Sequence, residues 1–165
     1  MQHQAEIMKS SLEYSKQQYG FVQDSRKALL DYCKAISADD FIDQNTSFGR
    51  GGSMRNLLVH IANTYQYWIA NISLKKNITF TDYQAVQNID DIIELFNLVD
   101  NFMHEFIATL DSAEEIPYEI NGVKRLANPL KLFTHVVTHE FHHKGQVLSI
   151  SRHLGYTPVD TDIIR

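Results

Sequence analysis

Apolar positions in this chain recur at helical spacing over four long stretches, and one short segment reads as a pair of strands. The first stretch runs from about Met8 to Ile36, with Phe21, Leu29, Tyr32, Cys33 and Ile36 on one stripe and Gly20 as a candidate break; Ser37-Ala38-Asp39-Asp40 ends it. The second begins after Gly51-Gly52, is capped by Ser53 and reaches about Asn71, with Leu57, His60, Ile61, Thr64, Tyr65 and Trp68 on a common face. That spacing points His60 inward. The third runs from about Asp90 to Leu110, where Asp90-Asp91 supplies a cap and an acidic first turn. The fourth is opened by Asn128-Pro129, a position where proline is tolerated, and is stopped by Gly155.

Ahead of the fourth stretch, Ile116 to Ile120 and Val123 to Leu126 flank Asn121-Gly122, a two-residue turn that predicts a β-hairpin. The three prolines and seven glycines fall mostly between the periodic segments. The pattern therefore predicts an all-α protein, a four-helix bundle with a long crossover and a small β-hairpin before the last helix. A chain of 165 residues can bury a real core and is expected to form a single domain over residues 1–165.

The formal net charge of -5 is spread along the chain rather than gathered in a block. Neither a nucleic-acid surface nor a polybasic membrane anchor is indicated, and the expected partners are small molecules or protein. One cysteine, Cys33, excludes an intrachain disulfide framework; placed on an apolar stripe, it reads as a small buried hydrophobe. The N-terminus shows no signal-like pattern, and apolar runs are broken well before the ~20 residues that a membrane span needs, so a cytoplasmic location is expected.

Candidate chemistry is concentrated in the fourth helix, where His135, His139, His142 and His143 put four of the eight histidines into nine residues. Residues four apart are displaced by about 40° around an α-helix, so His135, His139 and His143 share an arc with Gln146. Buried neutral imidazoles need a partner, and a divalent cation is the partner that several of them can share. His139 and His143 alone leave a site incomplete, and inward-facing His60 is the best third nitrogen. Three protein ligands leave coordination positions open for water or substrate. His135 has three readings: a fourth ligand, a support for a ligand, or a helix-packing group. His142 reads as a rim residue, while His3, His104 and His153 lack spacing support.

The string His139-Glu140-Phe141-His142-His143 also fits H-E-x-x-H, in which Glu140 would be the general base of a zinc protease. The continuation fails, because Gln146 and Ser149 stand where the longer protease motif requires Gly and His, and no glutamate follows residue 143. Glu140 lies about 100° from His139 around the helix and remains a candidate catalytic group beside a metal.

Three segments carry a resemblance to a known family. They are Ser53 to Ala62 leading to Tyr67-Trp68, His135 to Gln146, and Leu154-Gly155-Tyr156-Thr157-Pro158 with Asp162. Together they resemble the DinB/YfiT-like family of metal-binding four-helix proteins, with Lys144 where that family commonly has arginine. The resemblance implies that His60, His139 and His143 ligate zinc or nickel in a bundle that often forms homodimers. It also implies, for some relatives, transfer or isomerisation with a low-molecular-weight thiol such as bacillithiol or mycothiol. Three functions follow as expectations: a metal-dependent thiol S-transferase acting on a small-molecule substrate, a hydrolase using a metal-activated water, and a non-catalytic metal-binding stress-response protein.

Overall fold

The computed structural model describes residues 2–46, 52–111 and 114–165, with side chains from residue 12 onward. Gly51, named above as part of a helix start, and the side chain of His3 lie outside the described residues. Helix α1 (Gln2–Cys33) runs unbroken through Gly20. Its buried arc is formed by Val22, Arg26, Leu29 and Cys33, with Ser25 beside them. Phe21 is about 100° off that arc and is exposed, contrary to the stripe read from hydrophobicity. The true stripe contains an arginine and a serine, which a search for apolar residues passes over.

Ser37 does more than end α1. Its Oγ accepts from Asp40 N and caps a short helix, α2 (Ala38–Ile42), which buries Phe41. Ser53 likewise caps α3 (Met54–Tyr65) by accepting from Asn56 N at 3.0 Å. The expected helix to Asn71 continues in a different winding, since Gln66–Ser73 is a π-helix that buries Gln66, Ile69 and Ala70. The connection from Leu74 to Asn88 is then laced back by two asparagines. Asn71 pairs with the backbone N and O of Ile78, and Asn63 with those of Thr81.

Helix α4 (Ile89–Ile107) starts one residue earlier than Asp90 because Asn88 is the cap. Asn88 Oδ1 accepts from Asp90 N and Asp91 N, and Asp91 Oδ2 accepts in turn from Asn88 N, a reciprocal capping box. Strands β1 (Ile116–Ile120) and β2 (Val123–Ala127) pair antiparallel, with Ile120 opposite Val123. Asn121 at φ 52° and Gly122 at φ 75° make the tight turn foreseen for that dipeptide. Helix α5 (Pro129–His153) is capped by Asn128 and closed by Gly155 at φ 93°, with Tyr156 N reaching back to Ser151 O at 3.0 Å.

Packing joins the elements into the expected bundle: α3 lies against α4 and α5, and α1 lies against α4. The core draws on all four long helices, with Leu29, Leu57, Ile61, Val99, Phe106, Phe133 and Val136 among its buried members. Among the described residues no helix is long and apolar enough to cross a membrane.

Candidate metal centre

Helix α3 presents His60 and helix α5 presents His139 and His143, and one ring nitrogen from each lies within 4.8 Å of the others. The ring centroids stand 4.9 Å apart for His60 and His139, 4.8 Å for His60 and His143, and 4.4 Å for His139 and His143. This is the set anticipated from the sequence. The one-turn spacing on α5 brings the Nε2 atoms of His139 and His143 to 3.1 Å. Two nitrogens held by one ion at 2.0–2.1 Å with a tetrahedral angle would be separated by about 3.3 Å, so the pair needs little movement to share a cation.

The side of each ring away from the partner distinguishes the two histidines. His143 Nδ1 lies 2.7 Å from Gln146 Oε1, and an amide oxygen only accepts, so Nδ1 carries the hydrogen and Nε2 keeps its lone pair. His139 Nδ1 is buried and has no hydrogen-bond partner among the described residues. Burial, then the nearby histidines, pull the pKa of His139 down to about 3, and burial also lowers that of His143 against the opposing bond to Gln146. Both rings are therefore neutral at physiological pH, the form in which imidazole binds metal. Three imidazole nitrogens converging in a partly buried site fit a divalent first-row cation.

Other sequence candidates fall into separate places. His135 is exposed and is not in the convergent group; its ring stands edge-on to Trp68 at 5.2 Å and 6.0 Å from His139. His142 sits on the rim, its Nε2 3.4 Å from Gln146 Nε2. His104 and His153 are both exposed.

Glu140 is turned away from the histidines into the core. Its side chain is 0% exposed, and it is gripped by the 3% exposed Arg26 of α1, with Nε at 3.0 Å from Oε1 and Nη2 at 2.8 Å from Oε2. Tyr65 of α3 donates to Oε2 at 2.7 Å, and Lys144 Nζ stands 3.8 Å from Oε1. A carboxylate so occupied is not poised to take a proton from a water at the histidines. Arg26 Nη1 continues the cluster to Asp100 of α4 at 2.6 Å, where Tyr19 also donates at 2.6 Å. Lys144 donates to Ser25 at 2.5 Å, and Ser25 to the carbonyl of Thr161. Apolar periodicity gave no sign of this cluster. The signal was the polar pair Ser25-Arg26 inside a buried arc, and Glu140 with Lys144 one turn apart on α5.

A cleft of about 480 Å³ opens onto His60 and His139. Its walls are Tyr67 and Trp68 from the π-helix, Phe80 and Tyr83 from the following connection, and His135 from α5, with Asn63 and Thr64 below. Asn63 is engaged by Thr81 and Thr64 Oγ1 donates to His60 O, so among the described residues the lining presents rings and imidazoles and no Asp, Glu, Lys or Arg. Phe80 and Tyr83 were not anticipated, because their placement depends on the asparagine lacing.

Fold and site define a four-helix-bundle protein with a three-histidine centre beside an aromatic cleft. A sequence model of the DinB family matches residues 2–165, and the chain belongs to that family. It is 26% identical over 146 residues to the protein YizA of Bacillus subtilis (strain 168), covering 84% of this chain and 87% of the relative. The crystal structure of TT2238, a four-helix bundle protein, is similar in fold, with a TM-score of 0.58 at 15% identity over 82% of this chain and 98% of that one.

Proposed function

We propose that this protein is a metal-dependent transferase in which His60, His139 and His143 hold a divalent ion and a low-molecular-weight thiol, its proton released to solvent, attacks a small electrophile in the adjoining cleft and displaces that electrophile's leaving group. The observation that carries the reading is the convergence of three imidazole nitrogens, two of whose rings, His60 and His139, line an open cleft. Bound there, a divalent ion, with zinc or nickel as the leading choices, would act as a Lewis acid that makes a thiol or water acidic enough to serve as nucleophile at neutral pH. His60 comes from one helix and the other two from a second, leaving the cleft side of the site for the incoming sulfur. Gln146 fixes the ring of His143. Trp68, Tyr67 and Phe80 shelter the reacting centre and favour a substrate with a flat apolar part.

Thiol transfer is preferred over hydrolysis because, among the described residues, the cleft lining holds no carboxylate to act as a general base, and Glu140 is already engaged. A thiol of ordinary pKa about 8.5 needs far less help than water. Cys33 is 2% exposed, and burial pushes its pKa up to about 12, so the sulfur nucleophile comes from solution. Homodimerisation belongs to the same proposal and is checked by light scattering.

The test begins with elemental analysis of protein purified without an affinity-metal column, alongside His60→Ala, His139→Ala and His143→Ala. One ion per chain in the parent and loss in each variant is expected. Metal-loaded protein should then consume a chlorodinitrobenzene probe only when a small thiol is supplied. Thiol-independent ester cleavage would shift the reading to hydrolysis, and a loaded protein inert in both assays would mark the ion as structural.

A further inference from the structure

Glu140 does not face the cleft, yet its carboxylate is the meeting point of bonds from two other helices, and through Arg26 it reaches the fourth. Within this cluster the bond from Tyr65 to Glu140 joins α3 directly to α5, the two helices that share the histidine site. Tyr65 follows His60 by five residues, about 7.5 Å along α3 and about 140° around it, while Glu140 is about 100° around α5 from His139. The link and the histidines thus lie on different faces of the same two helices.

We propose that Glu140 is a positioning residue for the metal centre: held by Arg26 and accepting from Tyr65, it fixes the rotation and slide of α3 against α5 and so the distance from His60 to His139 and His143. The inference rests on the metal reading above. Its physical basis is leverage. Turning α3 by about 10° moves a ring some 6 Å from its axis by about 1 Å, whereas a ligand set works within about 0.5 Å of its productive geometry. Apolar side chains between α3 and α5 resist separation but resist sliding and rotation less. A bond between two fully buried side chains, with the acceptor clamped from α1, is directional and supplies that restraint.

The test is a titration with Co²⁺ and Zn²⁺, read by the Co²⁺ ligand-field absorption and by chelator competition, with circular dichroism as the check on folding. Tyr65→Phe keeps the ring and removes the hydroxyl; it should remain helical, bind both ions roughly tenfold more weakly and alter the Co²⁺ spectrum. Val99→Ala, a core truncation on α4, which carries neither end of the link, should lower the melting temperature without changing affinity. His60→Ala loses the ion on purification but keeps the His139 and His143 pair, and in the weak residual binding read at high Co²⁺ concentration Tyr65→Phe should change affinity less than twofold, because the lever no longer has a ligand to move. Glu140→Gln tests the other end of the link and replaces Tyr65→Phe should that variant not fold. Undiminished affinity in the variant tested overturns the inference while leaving the metal site standing, as does equal weakening by Val99→Ala or full additivity with His60→Ala. A parent protein that binds neither ion overturns the metal reading and this inference with it.

Discussion

Gln146 Oε1 receives the Nδ1 hydrogen of His143 at 2.7 Å, which leaves His143 Nε2 directed at His139 Nε2. The amide thereby selects the tautomer needed for ligation. Gln146→Leu removes the acceptor from a half-buried position, so metal affinity should fall about 10- to 100-fold with little change in helical content. Chelator competition measures it, and an unchanged affinity would leave Gln146 with no role in the site.

Acid should destabilise the metal-free protein. His139 is held near 3 and His143 below its ordinary value, chiefly by burial, so the unfolded chain takes up protons first as pH falls through about 6.5. The stability these rings contribute is present above that pH and is lost progressively as pH falls toward 3. Urea midpoints at pH 7.5 and 5.5 should differ in the parent and differ less in His139→Phe.

Breaking the buried ion pair from one side should cost more than replacing both partners. Glu140→Ala leaves Arg26 charged in the core with Asp100 as its remaining anion, a loss on the order of 3 kcal/mol. Arg26→Met combined with Glu140→Leu should be milder than Glu140→Ala. Denaturant unfolding of the three proteins decides it, and a double variant less stable than Glu140→Ala would contradict the accounting of charge.

The Cys33 thiol should resist modification in the native state. With 2% exposure and a pKa raised to about 12 by burial, it offers almost no thiolate at pH 8. Ellman's reagent should report no thiol until denaturant is added, then one per chain. Rapid reaction without unfolding would mean that α1 opens readily.

Trp68, the one tryptophan of the chain, forms part of the cleft wall. Its emission should be quenched when Ni²⁺ or an uncharged aromatic compound such as nitrobenzyl alcohol is added, and a charged analogue such as nitrobenzoate should bind metal-free protein more weakly. Equal responses to the two organic probes would argue against a cleft that selects by apolar contact.

Local rules made much of this molecule readable in its sequence. Asn121-Gly122 marked the hairpin, Ser53 marked the start of α3, and the spacing of His139 and His143 marked the ligand arc, because each is decided by neighbours within a few residues. His60 required a helix-face argument and family resemblance together. Glu140 sits at an angle on α5 that local pattern finds compatible with a site role; its partners Arg26 and Tyr65 lie 114 and 75 residues away, beyond the reach of local pattern. The π winding after Tyr65 escaped for a related reason: its residues would also form an ordinary α-helix, and burial of Gln66, Ile69 and Ala70 against the rest of the bundle accompanies the wider turn.

That wide turn gives the cleft an independent means of adjustment. Residues 66–73 use more chain per revolution than an α-helix does, so excising one residue there would restore tighter winding and swing the indole to a new bearing while the histidine-bearing helices keep their places. In such a scaffold, the shape of the cleft wall can be retuned by the length of one coil, leaving the three-histidine group intact.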